Sequence, residues 1–215
     1  MLNKYEIGIL IPAHNEEKNI KNVINEFQNY GKIFIIDDKS TDKTAKICKK
    51  KKVKLIKNIN QIGYDASLRK GIKFINSNEK KIKFIITADA DGQHIGKYVK
   101  KFFLESKKYY CVVGIRNHFN RISEHIISYI SKLFFNIKDP ICGMKFYNVK
   151  KMKNKNLIFK SKTDYCGMFF FKGYEKKYVT NVKIKVRKKN KRSSYGSGIL
   201  ANYSILKSFT LSILR

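Results

Sequence analysis

A single-domain α/β fold, with a mostly parallel sheet flanked by helices, is the class this sequence predicts. Short apolar runs of strand length alternate with stretches of helical periodicity through the first 115 residues. Strands separated by helices demand right-handed crossovers and a parallel sheet covered on both faces. The 215 residues, 43% of them hydrophobic, suffice for one core, at roughly 100 to 200 residues per domain. No repeat, low-complexity linker or proline-rich boundary divides the chain, which holds only two prolines.

The elements follow in order. Glu6 to Ile11 is a continuous apolar run ending at Pro12, the pattern of a buried strand. Asn15 is placed to cap the next helix, with Glu16 and Glu17 in the first turn and Ile20, Val23, Ile24 and Phe27 at helical spacing. Lys32 to Ile36 reads as the second strand, and Ser40 or Thr41 can cap the helix after it. Val53 to Ile56, Ile82 to Ala88 and Tyr110 to Gly114 complete five strands, with helices over Ala66 to Phe74 and Tyr98 to Phe103 between them. Beyond residue 115 the alternation decays into a helix-like Ile122 to Phe135, a short segment Met144 to Val149, an apolar stretch Met168 to Phe171 and a strand-like Tyr178 to Val186. Both halves are expected to share one core.

The last stretch, Ile199 to Arg215, sets Ile199, Leu200, Tyr203, Leu206, Phe209, Ile213 and Leu214 at roughly helical spacing among Asn202, Ser204, Lys207 and Ser208. That pattern is amphipathic. As a helix it measures about 26 Å, short of the ~30 Å hydrocarbon core and too polar to span it. It therefore lies along an anionic membrane or packs on the core as a last helix.

Charge bounds the partners. The chain carries 47 basic against 16 acidic residues, a net +31, and its only arginines are Arg69, Arg116, Arg121, Arg187, Arg192 and Arg215. Such a charge suits nucleic acid or an anionic membrane, although lysines scattered in small groups also fit a solvated surface, and abundant Lys, Ile and Asn fit biased codon usage. No helix-turn-helix, aromatic RNA-binding signature or zinc spacing is present, so no nucleic-acid partner is expected. Cys48, Cys111, Cys142 and Cys166 include no pair at metal-ligand spacing and no disulfide framework. With no signal peptide pattern after Met1, the expected location is cytoplasmic, peripheral at the inner face of the membrane.

Acids are scarce, eight Asp and eight Glu, and four of the Asp fall in two clusters, Asp37 with Asp38 and Asp89 with Asp91. Each cluster ends an expected strand. Ligands of an open parallel sheet bind beyond the carboxyl ends of its strands, so these loops and the Pro12 to Asn15 loop should line one crevice. Two carboxylates one residue apart suit a hard divalent cation, Mg²⁺ or Mn²⁺, shared with a substrate diphosphate. A strand-end turn rich in Asp, with Gly92, is the plainer alternative.

The segments Ile11-Pro12-Ala13-His14-Asn15-Glu16-Glu17, Ile36-Asp37-Asp38-Lys39-Ser40-Thr41-Asp42 and Ala88-Asp89-Ala90-Asp91-Gly92-Gln93-His94 resemble, in order and spacing, the signature of the family 2 inverting glycosyltransferases. A fourth, Lys138-Asp139-Pro140-Ile141-Cys142-Gly143-Met144, resembles the acceptor-side motif of the polyprenyl-phosphate sugar synthases, such as the dolichyl-phosphate mannose synthases. The resemblance implies a Rossmann-like nucleotide-binding sheet of the glycosyltransferase A type. It divides the chain into a catalytic domain, 1–198, with a nucleotide-sugar half (1–115) and an acceptor half (116–198), and a tail, 199–215. It also implies a metal-dependent transfer from a nucleotide-diphosphate sugar, UDP- or GDP-linked, to a polyprenyl phosphate or a cell-surface glycan.

By the same resemblance, Pro12, Ala13 and Glu16 would line the nucleoside pocket, and Asp38 would bond the base or ribose with Asp37 beside it. Asp89 and Asp91, with Gln93 close by, would hold the metal and the donor diphosphate. Arg116, Arg121, Arg187 and Arg192 match positions where the family places phosphate-contacting arginines and a mobile loop, here running through Ser193-Ser194-Tyr195-Gly196. A guanidinium fork binds phosphate oxygens in a planar way that Lys does not copy. Asp139 and Asp164 are the candidate general bases, although a phosphate acceptor, already anionic, needs only orientation. A sugar nucleotidyltransferase would share the sheet but show a glycine-rich basic loop after the first strand, where this chain has Pro12-Ala13-His14-Asn15.

Overall fold

The computed structural model describes residues 3–119, 121–152, 173–187 and 198–214. Seven strands form one sheet: β1 (Ile7–Ala13), β2 (Lys32–Asp37), β3 (Lys54–Lys57), β4 (Phe84–Thr87), β5 (Cys111–Ile115), β6 (Lys145–Asn148) and β7 (Val179–Lys183). Their spatial order is β3-β2-β1-β4-β6-β5-β7. β1 pairs in parallel with β2 and β4, β2 with β3, and β5 with β7, while β6 runs antiparallel between β4 and β5. The helices are α1 (Ile20–Phe27), α2 (Thr44–Lys50), α3 (Tyr64–Asn78), α4 (Tyr98–Glu105), α5 (Ile122–Phe135) and α6 (Ile199–Leu214). The mostly parallel α/β sheet expected from the alternation is present, and β6 and β7 show that residues beyond 115 belong to it.

Alternate strand residues face opposite sides of a sheet, and here each side has its own helices. Leu10, Phe34, Ile36, Ile85 and Val113 pack with Leu68, Ile72 and Ile75 of α3, Ile127 of α5 and Ile205 and Phe209 of α6. Ile9, Ile11, Ile35, Ile86 and Val112 pack with Val23, Ile24 and Phe27 of α1, Cys48 of α2 and Val99 and Phe102 of α4. Coverage on both faces is why β1 is buried at all seven positions and reads as an unbroken apolar run.

Two local expectations are corrected. Asn15 is no cap: it lies at φ +53°, its side-chain oxygen accepts from the Thr41 backbone, and α1 starts only at Ile20. Ser40 and Thr41 do not cap α2 either, because Asp42 Oδ1 accepts the Thr44 N–H and Ser40 Oγ accepts the Asn15 N–H. The side chains of Asn15 and Ser40 are taken by the other loop, while the Thr44 N–H finds Asp42 within its own. The tail resolves toward the core on one side, where Ala201, Ile205 and Phe209 are buried, while Ile199, Leu200 and Tyr203 stay exposed. Among the described residues no helix is long and apolar enough to cross a membrane. The expected stretch Met168 to Phe171 lies outside the described residues.

Candidate active site

β1, β2 and β4 end side by side, with Ala13 opposite Asp37 and Leu10 opposite Thr87. Their exit loops therefore leave from one edge of the sheet. β6 is antiparallel and begins at Lys145 opposite Thr87, so its approach, residues 139–144, arrives at that same edge. β7 is parallel to β5 and delivers Arg187 there too. Topology thus gathers five segments that are distant in sequence.

The first two loops are sewn together through their side chains. Glu16 N donates to Thr44 Oγ1 at 2.8 Å, Glu17 N to Asp42 Oδ2 at 3.0 Å and Lys43 N to Glu17 Oε2 at 3.0 Å. Asp37 accepts Ser40 N through Oδ1. Asp38, 4% exposed, accepts Asn58 Nδ2 (2.8 Å) and Ile62 N (2.9 Å) at Oδ1 and Gly63 N (2.8 Å) at Oδ2. Its carboxylate holds the 58–63 loop and so places the start of α3.

The first residue of α3 returns to the acids. Tyr64 donates its hydroxyl to Asp89 Oδ1 at 2.9 Å. Behind Asp89, buried His94 accepts the Asp89 N–H at Nδ1 (3.0 Å), which leaves its other ring nitrogen, 3.8 Å from Asp89 Oδ2, as the proton carrier of the neutral ring. Asp91 Oδ1 accepts Gln93 N at 3.1 Å, a turn that Gly92 permits at φ +80°. Gly143 passes so close that a Cβ there would lie 2.2 Å from Asp89 Oδ1. Asp89 nevertheless keeps about a third of its side chain open to solvent, 31%. Among the described residues no third His, Cys, Asp or Glu joins a metal-holding group. Two all-oxygen ligands with the remaining positions open suit a hard cation that completes its shell with diphosphate and water, so these residues fit Mg²⁺ or Mn²⁺.

Arg116 and Asp139, expected to face the substrates, face each other. Arg116 Nε and Nη2 fork onto Asp139 Oδ2 (2.8 Å) and Oδ1 (3.0 Å), and its backbone N–H adds a third bond at 3.0 Å. Nη2 also reaches Glu124 Oε2 at 3.2 Å, and Arg121 Nη1 reaches Glu124 Oε1 at 3.0 Å. Asp139 and Glu124 are 1% and 2% exposed, so two arginines neutralise two buried carboxylates. Asp139 Oδ1 accepts Cys142 N as well, which fixes the turn leading to Gly143.

Arg187 is committed in the same way. It bonds Glu26 Oε2 (2.7 Å) and the carbonyls of Gly92 and His94 (3.2 Å each), and exchanges backbone and side-chain bonds with Gln93. Burial by itself raises the Glu26 carboxyl, but Arg187 and the Gly96 N–H together hold it below its ordinary 4.5. A cleft of about 300 Å³ beside Asp91 has Glu26, Asn22 and Arg187 in its walls. Pro12 and Ala13 are buried and Glu16 is half-buried, bonded to Asn19 Nδ2. Asp164 and Arg192 lie outside the described residues. Cys48, Cys111 and Cys142 are free and buried, and burial, with Asp139 beside it, pushes the Cys142 thiol up to about 12.

Tyr64, Glu124, Asn58 and Glu26 were not singled out by sequence. Arg121, at the N-cap of α5, and Glu124 stand three apart, a readable pair; Arg116 and Glu124 are eight apart, and the contacts Asn58–Asp38, Tyr64–Asp89 and Glu26–Arg187 join residues 20 to 161 positions apart and left no local signal.

The sequence pattern that defines the group described as "Glycosyl transferase family 2" matches residues 8–192. The chain is 38% identical over 133 residues to the UDP-N-acetylglucosamine–dolichyl-phosphate N-acetylglucosaminyltransferase of Methanococcus voltae, covering 51% of each protein. It is 42% identical over 102 residues to an uncharacterized protein of Methanocaldococcus jannaschii, covering 46% of this chain and 41% of that one. The matches thus span about half the length or less of these two relatives. Among solved structures, glucosyl-3-phosphoglycerate synthase from Mycobacterium tuberculosis, in complex with Mn²⁺, uridine diphosphate and glucosyl-3-phosphoglycerate, superposes with a TM-score of 0.69 at 14% identity. That match covers 97% of this chain and 78% of the synthase, and identifies the fold as the glycosyltransferase A type.

Proposed function

The chain belongs to glycosyl transferase family 2, and from that premise we propose that it moves a sugar from a nucleotide-diphosphate donor, UDP- or GDP-linked, to a polyprenyl phosphate, with inversion at the anomeric carbon and a divalent metal. The observation that carries the reading is the placement of Asp89 and Asp91, partly open carboxylates at the end of β4, between the stitched first loops and the Gly143 turn. The acceptor class is supported by the printed name of the Methanococcus voltae relative, a dolichyl-phosphate transferase, and the Mn²⁺ requirement by the synthase complex.

The nucleoside lies against Pro12, Ala13 and Glu16, beside the loops that Asp37 and Asp38 hold. Asp89 and Asp91 hold the cation and, through it, the diphosphate. When bound, that cation neutralises the charge that builds on the departing nucleoside diphosphate. An acceptor phosphate oxygen attacks the anomeric carbon from the face opposite the leaving group, and being anionic it requires no base. This suits Asp139, whose oxygens are filled by Arg116 and Cys142: in this reading it positions Arg116 and the 140–143 turn and takes no proton. Asp164 remains the candidate base should the acceptor be a glycan hydroxyl. Arg121 and Arg187 flank the donor phosphates, Arg187 chiefly as the brace of the Asp91 loop, and Arg192 remains a candidate phosphate contact. The protein sits at the face of the membrane that carries its acceptor.

Purified protein incubated with UDP- and GDP-sugars, Mn²⁺ and a short-chain polyprenyl phosphate should yield the lipid-linked sugar. Asp91→Asn should abolish the transfer and the Mn²⁺-dependent part of nucleotide binding, with an unchanged thermal midpoint. Full metal-dependent nucleotide binding in that variant would remove the metal assignment.

A further inference from the structure

α5 is apolar on the wrong side. Ile122, Ile126, Tyr129 and Leu133 follow one another at steps of four, three and four residues, which at about 100° per residue places them within a sector of roughly 60°. All four are exposed, at 75%, 44%, 74% and 58%. The opposite side of the same helix is buried through Ser123, Glu124, Ile127 and Ser131. A helix seated on a core ordinarily presents a polar outer face. α6 adds to the anomaly: it turns Ala201, Ile205 and Phe209 inward and leaves Ile199, Leu200 and Tyr203 outside. Asn202 accepts the Ser123 N–H, so the first turns of the two helices lie together. Single exposed apolar residues are ordinary, but a grouped set marks an interaction surface.

The charge around these residues selects the partner. The one acid of α5, Glu124, is buried between Arg116 and Arg121, and α6 contains none. Lys132, Lys138 and Lys207 are exposed on or next to the two helices, in a chain of net charge +31. Apolar side chains rimmed by ammonium groups, on two helices whose one acid is buried, match a bilayer with anionic headgroups. The position is apt as well. α5 starts just beyond the carboxyl end of β5, and its first turn is tied through Glu124 to Arg116 and so to the Asp139 turn beside Asp89.

We propose that the outer face of α5, with the first turn of α6, is the surface by which the protein docks on an anionic lipid bilayer, bringing lipid-borne phosphate level with the catalytic edge. The second half of this statement rests on the transferase reading; the docking itself does not.

The chain contains no tryptophan, which permits a clean probe. Tyr129→Trp should shift its emission to the blue on adding phosphatidylglycerol vesicles and be quenched by brominated lipid. Tyr5→Trp, at an exposed position before β1 and hence at the opposite edge, should do neither. The double variant Tyr129→Ser with Leu133→Ser should lower vesicle partitioning roughly tenfold or more, and high salt should weaken wild-type binding. No shift at position 129 with anionic vesicles overturns the proposal. So does a concentration-dependent shift without lipid, which would make the face an interface between two copies. A large fall in thermal midpoint of the Ser variant also overturns it, since part of this chain would then cover the face. Mn²⁺-dependent UDP or GDP binding, measured on the same preparations, reports on the transferase reading alone; its absence would remove that reading and leave the vesicle result standing.

Discussion

Replacing Gly143 by Ala tests how the acceptor-side turn and the acidic loop depend on each other. The glycine is not required for backbone freedom, since the positive-φ glycines among the described residues are Gly63, Gly92 and Gly198. It is required for room. A Cβ would stand 2.2 Å from Asp89 Oδ1, 2.4 Å from Oδ2 and 2.5 Å from Cγ, where contact distances of about 3.5 Å are normal between non-bonded atoms. About 1 Å must open, and the softest way to open it is rotation of the Asp89 carboxylate into the solvent it already meets. Stability should fall by no more than about 1 kcal/mol, below the range of true overpacking, ~1–3 kcal/mol. Function should suffer far more, because a misplacement of about 1 Å in a reacting constellation costs on the order of 100-fold. Mn²⁺-dependent binding of UDP or GDP should weaken roughly ten- to 100-fold, about 1.4–2.8 kcal/mol. Calorimetric titration with and without Mn²⁺, beside a urea melt, reads both quantities. A variant that binds nucleotide and metal as the wild type does, or that loses stability and binding in proportion, would refute the reasoning.

Tyr64→Phe removes the hydroxyl that donates to Asp89 Oδ1 and almost no volume; metal-dependent nucleotide binding should fall a few-fold, in line with ~0.5–1.5 kcal/mol for one hydrogen bond, with the thermal midpoint unmoved. Asp139→Asn should behave in the opposite way, costing about 3 kcal/mol in denaturant unfolding because Arg116 loses the carboxylate it forks onto, the lower end of the usual range since that side chain keeps Glu124 as a partner and 19% exposure. Glu26 has a lowered folded-state pKa, so its pairing with Arg187 stabilises fully above 4.5 and the contribution is lost as pH falls through the lower folded value. The gap in thermal midpoint between wild type and Glu26→Gln should be present at pH 7, small because Arg187 is 47% exposed, and should close as the pH falls below 4.5 through the lowered folded-state value.

Much of the fold was legible because its signals are local. β1 to β5 appear within two residues of their expected bounds: β1, β2, β4 and β5 are largely buried and must be continuously apolar whatever surrounds them, while the edge strand β3 is only half-buried and carries a lysine at each end. The loops bearing Asp37, Asp38, Asp89 and Asp91 were legible for a related reason: in a parallel sheet every strand end of one sense faces the same edge. Capping at Asn15 and Ser40 was not legible because the partners of their side chains sit 26 and 25 residues away in the other loop.

The sequence by itself determined the class of sheet, the edge at which the strand-end loops gather and the acids placed there, all consequences of periodicity and chain direction. Only the tertiary structure decided what each charged group does. Antiparallel β6 carries Asp139 and Gly143 back to the edge, where Asp139 captures Arg116 and Gly143 leaves space for Asp89. The tail, amphipathic by pattern, was divided between core and surface by where α5 offered it a wall. The physical reason is common to all three: a buried charge or an apolar face must be matched by whatever the fold sets against it, and those partners come from distant parts of the chain.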